Sequence, residues 1–325
     1  MKRLVISLLI TLAIIAFLFT QISLVDLYTL LVGTDFFWAF LGAICYFISA
    51  FFRALRFKWL VHSKDLPLLQ LFKISILYNL ALMVLPARLG EFSYPYLLSR
   101  YCGITMMEGV ASLIATRIYD LLVTLMIFLV AATKFQGIFQ TAPLGLVLFA
   151  GILTGLTLLA LFHMDRLLAW LSRGLRKISS WIGPKKNVPL PWISTKVEKL
   201  SEDFCAIKTR RTHLSVTFVT IMSWLMAFWM FHAFLRGFGI PVPFSKMVFA
   251  SMIAILANAL PISGLGNWGV LEAGWAAGFL LIGLPKESAI ATGFGVHILI
   301  FVVTVAAGIP CWLTLEQKSP SLPAQ

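Results

Sequence analysis

Long apolar runs alternate with short polar breaks along almost the whole chain. Runs at 4–19, 36–52, 68–85, 106–131, 143–162, 214–235, 244–260, 268–282 and 288–313 predict helices. Several are near the roughly 20 apolar residues that cross a bilayer. Two pairs of runs are interrupted instead of separated by an ordinary loop. The run from 68 breaks at Pro86, and Arg88, Gly90 and Glu91 follow at once. The run from 244 breaks at Pro261 and resumes after a Gly-rich stretch holding Ser263, Gly264 and Gly266, with Glu272 just inside the next helix.

Loop charges set the expected topology. Residues 21–35 contain Asp26 and Asp35 but no Lys or Arg, so this loop is expected outside. The second run ends in Arg53, Arg56, Lys58 and Lys64, a basic inner edge expected to meet lipid headgroups. The run at 143–162 empties into a strongly basic stretch, 163–213, which places that stretch in the cytoplasm. Counting back, the chain has to return to the inner side between residues 86 and 105 without room for another full span. A re-entrant hairpin with its tip at 86–90 meets this requirement, and 244–282 gives a second hairpin entered from outside. The N-terminal run has basic flanks like a secretory signal but no small-residue cleavage site, so a retained first span is expected.

The fold class expected is therefore all-α: a polytopic helical membrane protein with about six full spans and two broken re-entrant hairpins. One transmembrane domain covers 1–325. Within it, repeat 1 (36–132) and repeat 2 (214–313) stand 175–180 residues apart and face opposite leaflets, with the basic linker 163–213 between them. Broken helices in corresponding positions of two inverted halves are the sequence signature of a midplane transport site. Both termini are expected in the cytoplasm, in the cell (inner) membrane.

Composition agrees: of 325 residues 60% are hydrophobic and 12% charged, and the mean hydropathy is +0.94. The net charge of +13 sits in loops, where the positive-inside bias accounts for it without nucleic acid. Cys45, Cys102, Cys205 and Cys311 form no Cys-x-x-Cys pair and no His-containing metal pattern, so neither a metal nor a cofactor is expected. No Gly-x-x-x-x-Gly-Lys-Ser/Thr or Gly-x-Ser-x-Gly sequence occurs, which removes an in-chain P-loop and a nucleophile elbow.

Ionisable residues inside spans cost roughly 2.5–3.5 kcal/mol each on insertion scales and call for a reason. Arg88 with Glu91, and Arg117 with Asp120, are spaced i, i+3 on one helix face. Each is either a self-neutralising pair or an anion site whose acid balances it when empty. Half-helix N-termini at the breaks suit phosphate, and Gly90, Gly264 and Gly266 serve either close backbone approach to a ligand or helix packing. His297 lies opposite Arg117 under the repeat offset, as a helix–helix hydrogen bonder or a proton carrier. Asn79 and Asn258, shortly before the breaks, are expected to satisfy freed carbonyls. With Ser263 they join the candidate substrate-binding set, in which Arg88 and Arg117 are expected to hold a phosphate and Glu91, Asp120 and Glu272 to balance charge or carry protons. In the linker, Leu167, Leu168, Leu171, Leu175, Ile178 and Ile182 recur at helical spacing among Arg173, Arg176 and Lys177. This is the pattern of an interfacial helix on anionic headgroups, or of a plain solvated linker.

The segment Pro86-Ala-Arg88-Leu-Gly90-Glu91, Arg117-x-x-Asp120 and the Gly-rich stretch from Pro261 to Glu272 together resemble the membrane region of bacterial lysylphosphatidylglycerol synthases. That region also occurs as flippase-like membrane proteins without the aminoacyl-transfer domain, and the resemblance runs over roughly 4–315. The family usually has a basic residue where this chain has Leu271, and often an Arg where it has His297. The resemblance implies translocation of a lipid with an anionic headgroup (an anionic or aminoacylated phospholipid, or a polyprenyl phosphate) and no enzymatic activity. A secondary transporter of a soluble anion and a membrane-embedded lipid-linked transferase are the alternatives. The oligomeric state is open, a homodimer among the options.

Overall fold

The computed structural model describes residues 17–18, 20–21, 24–61, 65–86, 89–134, 144–182, 190–207, 210–259 and 268–316. Among the described residues are eleven α-helices, one 3-10 turn and no β-strand. Five helices are long and apolar enough to cross a membrane: α2 (Phe36–Leu60), α5 (Met106–Lys134), α6 (Leu144–Ile182), α8 (Arg210–Gly237) and α11 (Lys286–Glu316). The expected first span, 4–19, lies almost wholly outside the described residues. The outer loop expected at 21–35 instead contains a nine-residue helix, α1 (Leu24–Val32). It buries Leu27 and leaves Val25, Tyr28 and Val32 about two-thirds exposed, an amphipathic pattern too short to register as a span.

Helix α2 begins where the Asp35 carboxylate accepts from the Phe37 N–H at 2.8 Å, a side-chain N-cap. It runs through the expected end at Phe52 to Leu60. Arg53, Arg56 and Lys58 are thus helical, and the basic edge is partly interior.

Helices α2 and α8 pack antiparallel along their length. Asp35 N–H donates to Gly237 C=O at one end, and Gly42 lies under the Phe234 ring. Between these lies a reciprocal contact: Ser49 Oγ donates to the Ser223 carbonyl at 2.9 Å, and Ser223 Oγ donates to the Ser49 carbonyl at 3.3 Å. The two serines are 174 residues apart, one short of the expected offset of 175–180. A contact that keeps its form when its partners are exchanged marks a pseudo-two-fold axis, so the inverted repeat is visible in packing as well as in order. Small residues at this crossing let the backbones approach, as membrane helix pairs require.

The first hairpin is α3 (Leu68–Val84), a 3-10 turn (Leu89–Phe92) and α4 (Ser93–Cys102). Gln70 Nε2 reaches the Tyr101 carbonyl at 2.7 Å at its base, and Tyr78 and Tyr94 rings meet at 5.6 Å halfway up. At the tip a Cβ on Gly90 would sit 2.6 Å from the Ala81 carbonyl oxygen, so only glycine allows the turn to close on α3. The second hairpin pairs α9 (Phe244–Ala259) with α10 (Val270–Leu281). A Cβ on Gly278 would fall 2.1 Å from the Ala250 carbonyl oxygen. Each hairpin leans on the last span of the other repeat. Leu80 of α3 covers Gly308 of α11, and Phe249 of α9 stacks on Phe128 of α5 at 5.4 Å.

The basic linker does not begin as a separate element. The expected span and the amphipathic segment form one 39-residue helix, α6, about 58 Å long at 1.5 Å per residue. Helix α7 (Leu190–Ile207) folds back on it, held by a two-pronged Arg176–Glu198 pair at 2.9 and 3.0 Å and by Ser201 Oγ on the Asp165 carbonyl.

Candidate functional site

Between the two hairpins lies a cavity of about 230 Å³. Helix α2 contributes Tyr46, Ser49 and Arg53; α3 contributes Asn79, Leu82 and Met83; α8 contributes Trp224, Met230 and Phe231. Asn258 of α9 and His297 and Thr304 of α11 complete the polar part of its wall, and Leu271 of α10 adds an apolar contact. Both halves of the repeat therefore meet here, with Asn79 and Asn258 on facing hairpins.

Arg53 is the cationic feature of this wall. Its Nη1 donates to Asn79 Oδ1 at 3.1 Å, while its buried Nε–H has no partner among the described residues. No carboxylate among the described residues lies within ion-pair distance of it. A guanidinium held on one neutral acceptor, with a buried donor left over, has capacity for a further hydrogen-bond acceptor. The expected headgroup position of Arg53 at the inner edge is thus corrected to the cavity. Asn79 is corrected too: its side chain bonds Arg53 and, at 3.3 Å, the Tyr46 hydroxyl, not a freed carbonyl.

Arg56, also expected at the interface, is buried at 3% exposure. It holds Asp120 at 2.5 Å, and Asp120 also accepts from the Trp224 indole N–H at 2.9 Å. The i, i+3 partner expected for Asp120, Arg117, stands at 4.0 Å. Arg117 turns instead to Glu91 across the hairpin tip, with Nε donating at 3.0 Å, and its Nη2 donates to the Tyr78 hydroxyl at 2.6 Å. Glu91 and Arg117 close one end of a second, more open groove of about 420 Å³ between α5 and α6. Its other walls include the apolar Leu113, Ile118, Leu121, Leu156 and Ala160.

The second half repeats this arrangement with different chemistry. Glu272 Oε2 accepts the Gly269 N–H at 2.7 Å at the start of α10, and Oε1 meets His297 Nδ1 at 2.5 Å. Glu91 pairs with a base 26 residues on; Glu272 pairs with one 25 residues on. The first pair is accessible, with Arg117 43% exposed. The second is buried, at 0% and 4%, with His297 on the cavity wall. Trp268 stacks on the His297 ring at 4.1 Å.

Arg88, Ser263, Gly264 and Gly266 lie outside the described residues. Arg173, Arg176 and Lys177 are exposed on α6 beside Trp170, Leu167 and Leu171, which are also exposed. That face carries the polar and apolar halves an interfacial helix needs. Sequence reasoning missed Tyr46, Tyr78, Trp224 and Thr304 as site residues. Thr304 Oγ1 donates to Tyr46 Oη at 3.0 Å across the repeats. A hydroxyl or indole in an apolar helix gives no local signal of the partner it will find. Among the described residues no group of three or more His, Cys, Asp or Glu could hold a metal.

No curated protein matches this chain. The family model for the lysylphosphatidylglycerol synthase TM region matches residues 4–308, nearly the whole sequence. The chain belongs to the lysylphosphatidylglycerol synthase TM region family, whose members have a membrane, lipid-related and flippase-like role.

Proposed function

We propose that the protein moves a lipid with an anionic headgroup between leaflets: an anionic or aminoacylated phospholipid, or a polyprenyl phosphate. The observation that carries this is Arg53, an ion-pair-free guanidinium with an unused buried N–H, facing a cavity shared by two broken hairpins. The phosphate sits on Arg53, and Tyr46, Asn79 and Asn258 offer hydrogen bonds to the rest of the headgroup. The α5–α6 groove guides the approach. Its apolar wall suits an acyl chain, while Arg117 and Glu91 mark its polar end. On this reading the protein is a translocator and not an enzyme. We place it in the cell (inner) membrane with the basic 163–213 segment and both termini cytoplasmic, on the positive-inside bias.

One observation favours a second reading, transport of a soluble anion: about 230 Å³ is below the roughly 300–1,000 Å³ of most ligand pockets. Dithionite quenching in proteoliposomes separates the two. With fluorescent phosphatidylglycerol, wild-type protein is expected to speed loss of inner-leaflet signal, and Arg53→Gln to slow it at least about tenfold, as loss of a charged hydrogen bond of about 1.5–3 kcal/mol implies. Fluorescent phosphatidylcholine is expected to move more slowly and to ignore the substitution. Transfer of the anionic lipid unaffected by Arg53→Gln would refute the assignment.

A further inference from the structure

The charges around the two cavities do not all have partners of fixed state. Arg117 with Glu91 and Arg56 with Asp120 are closed pairs whose cations do not give up a proton. That leaves Arg53 on the cavity wall and the Glu272–His297 pair beside it. With His297 neutral, Glu272 and Arg53 balance and the empty cavity carries no net charge. When a phosphate monoanion binds Arg53, one negative charge is uncompensated unless His297 takes a proton.

We infer that Glu272–His297 is a proton site, and that one proton crosses with each anionic headgroup. This rests on the reading of the cavity as a lipid site and names its coupling. Loaded, the site holds Arg53 cation, phosphate, imidazolium and carboxylate. Empty, it holds Arg53 cation, neutral imidazole and carboxylate. Both states are neutral, and these are the two states that a carrier can take through a low-dielectric midplane at least cost. A state with headgroup and no proton, or proton and no headgroup, carries a net charge and is disfavoured.

The geometry supports this assignment. Nδ1 of His297 is 2.5 Å from Glu272 Oε1, so a proton on that nitrogen has a carboxylate oxygen within hydrogen-bond reach. Gly269 N–H holds the other carboxylate oxygen in place. His297 borders the cavity, so its proton responds to what enters. The titratable or charged groups that border the cavity with it are Arg53 and Tyr46 from α2. Asn79 from α3, Asn258 from α9 and Trp224 from α8 are neutral, and Trp268 covers the ring face. On the packed helices, Lys73, His232, Arg236, Lys246, Lys286, Glu287 and Glu316 are not among the residues lining the cavity. The repeat partner of His297 is Arg117, a base that cannot release its proton, so the two halves divide the work: one fixed charge, one exchangeable.

The proton balance is simple. An N–H bond forms at His297 on the side where the headgroup loads and breaks on the side where it leaves. With the membrane potential clamped at zero and a gradient of one pH unit, labelled phosphatidylglycerol is expected to redistribute toward the alkaline-side leaflet by up to about tenfold, the ratio that one proton per lipid sets. Dithionite accessibility at steady state reads the distribution, and a lumenal pH dye reads the accompanying proton. In His297→Arg, whose charge is fixed, the gradient-driven redistribution and the accompanying lumenal proton signal are both expected to be lost. Glu272→Gln and His297→Gln check that the loss is not peculiar to one side chain, with monodisperse elution as the folding control. If wild-type protein moves phosphatidylglycerol but distributes it evenly under the gradient, the proton assignment is overturned and the lipid reading stands. If it moves no phosphatidylglycerol, both fall.

Discussion

Asp120→Asn is predicted to unfold the protein far more readily while altering almost no shape. Asn keeps the oxygen that accepts from Trp224 at 2.9 Å. What it removes is the negative charge 2.5 Å from Arg56, whose side chain is 3% exposed. The Arg56 Nε–H already has no partner among the described residues, and only a 3.4 Å contact to Thr220 supplements the ion pair. Breaking one member of a buried pair costs about 3–5 kcal/mol, because the other charge is left without compensation. With Asp120 itself only 17% exposed, solvent screening reduces that little. The assay is reversible chemical unfolding in detergent micelles, followed by tryptophan emission. Replacing both members, as Arg56→Met with Asp120→Leu, is expected to recover most of the loss, since an apolar pair leaves no orphan charge. An Asp120→Asn protein that unfolds within about 0.5 kcal/mol of wild type, the ordinary range for surface substitutions, would refute the argument and return Asp120 to the solvent or to a ligand.

Three further outcomes are expected. Gly278→Val places a Cβ 2.1 Å from the Ala250 carbonyl oxygen, and it should lower stability in the same assay by about 1–3 kcal/mol through overpacking. The Ser49→Cys, Ser223→Cys protein, whose replaced hydroxyls lie 3.1 Å apart, should form an α2–α8 disulfide on mild oxidation, seen as linked peptides by mass spectrometry. Glu198→Ala removes an exposed α6–α7 ion pair and should shift unfolding by less than about 1 kcal/mol.

The helices and their breaks were legible because lipid leaves few choices. Apolar runs must be helical, and Pro86 with Gly90 cannot continue one. The hairpins and the repeat followed from counting sides. Partnerships inside the membrane were not legible, and for one reason. Sequence spacing proposes local partners, whereas the folded chain supplies distant ones. Arg117 sits three residues from Asp120 yet bonds Glu91, 26 residues away. Arg56 finds Asp120 across 64 residues. The same effect misplaced the end of α2. Hydropathy treats Arg53 and Arg56 as a boundary, while the structure neutralises Arg56 and gives Arg53 a cavity. The short helix α1 escaped notice because nine residues with one buried stripe resemble a loop. The continuity of α6 was hidden by the change from all-round apolar to amphipathic, which alters the surroundings of a helix but not its backbone.

The location of the lipid can be read directly from methionines the chain already has. Met83 and Met230 line the cavity, whereas Met126 is 49% exposed on a span and serves as a bulk-lipid reference. Photo-methionine would be incorporated, the protein reconstituted in mixed phosphatidylglycerol and phosphatidylcholine vesicles and irradiated, and the lipid adducts mapped to peptides. Adducts at Met83 and Met230 enriched in phosphatidylglycerol over the vesicle ratio, and lost in Arg53→Gln, are predicted, with Met126 following the bulk composition. Lipid adducts at Met126 with none at Met83 or Met230 would contradict a headgroup site between the hairpins.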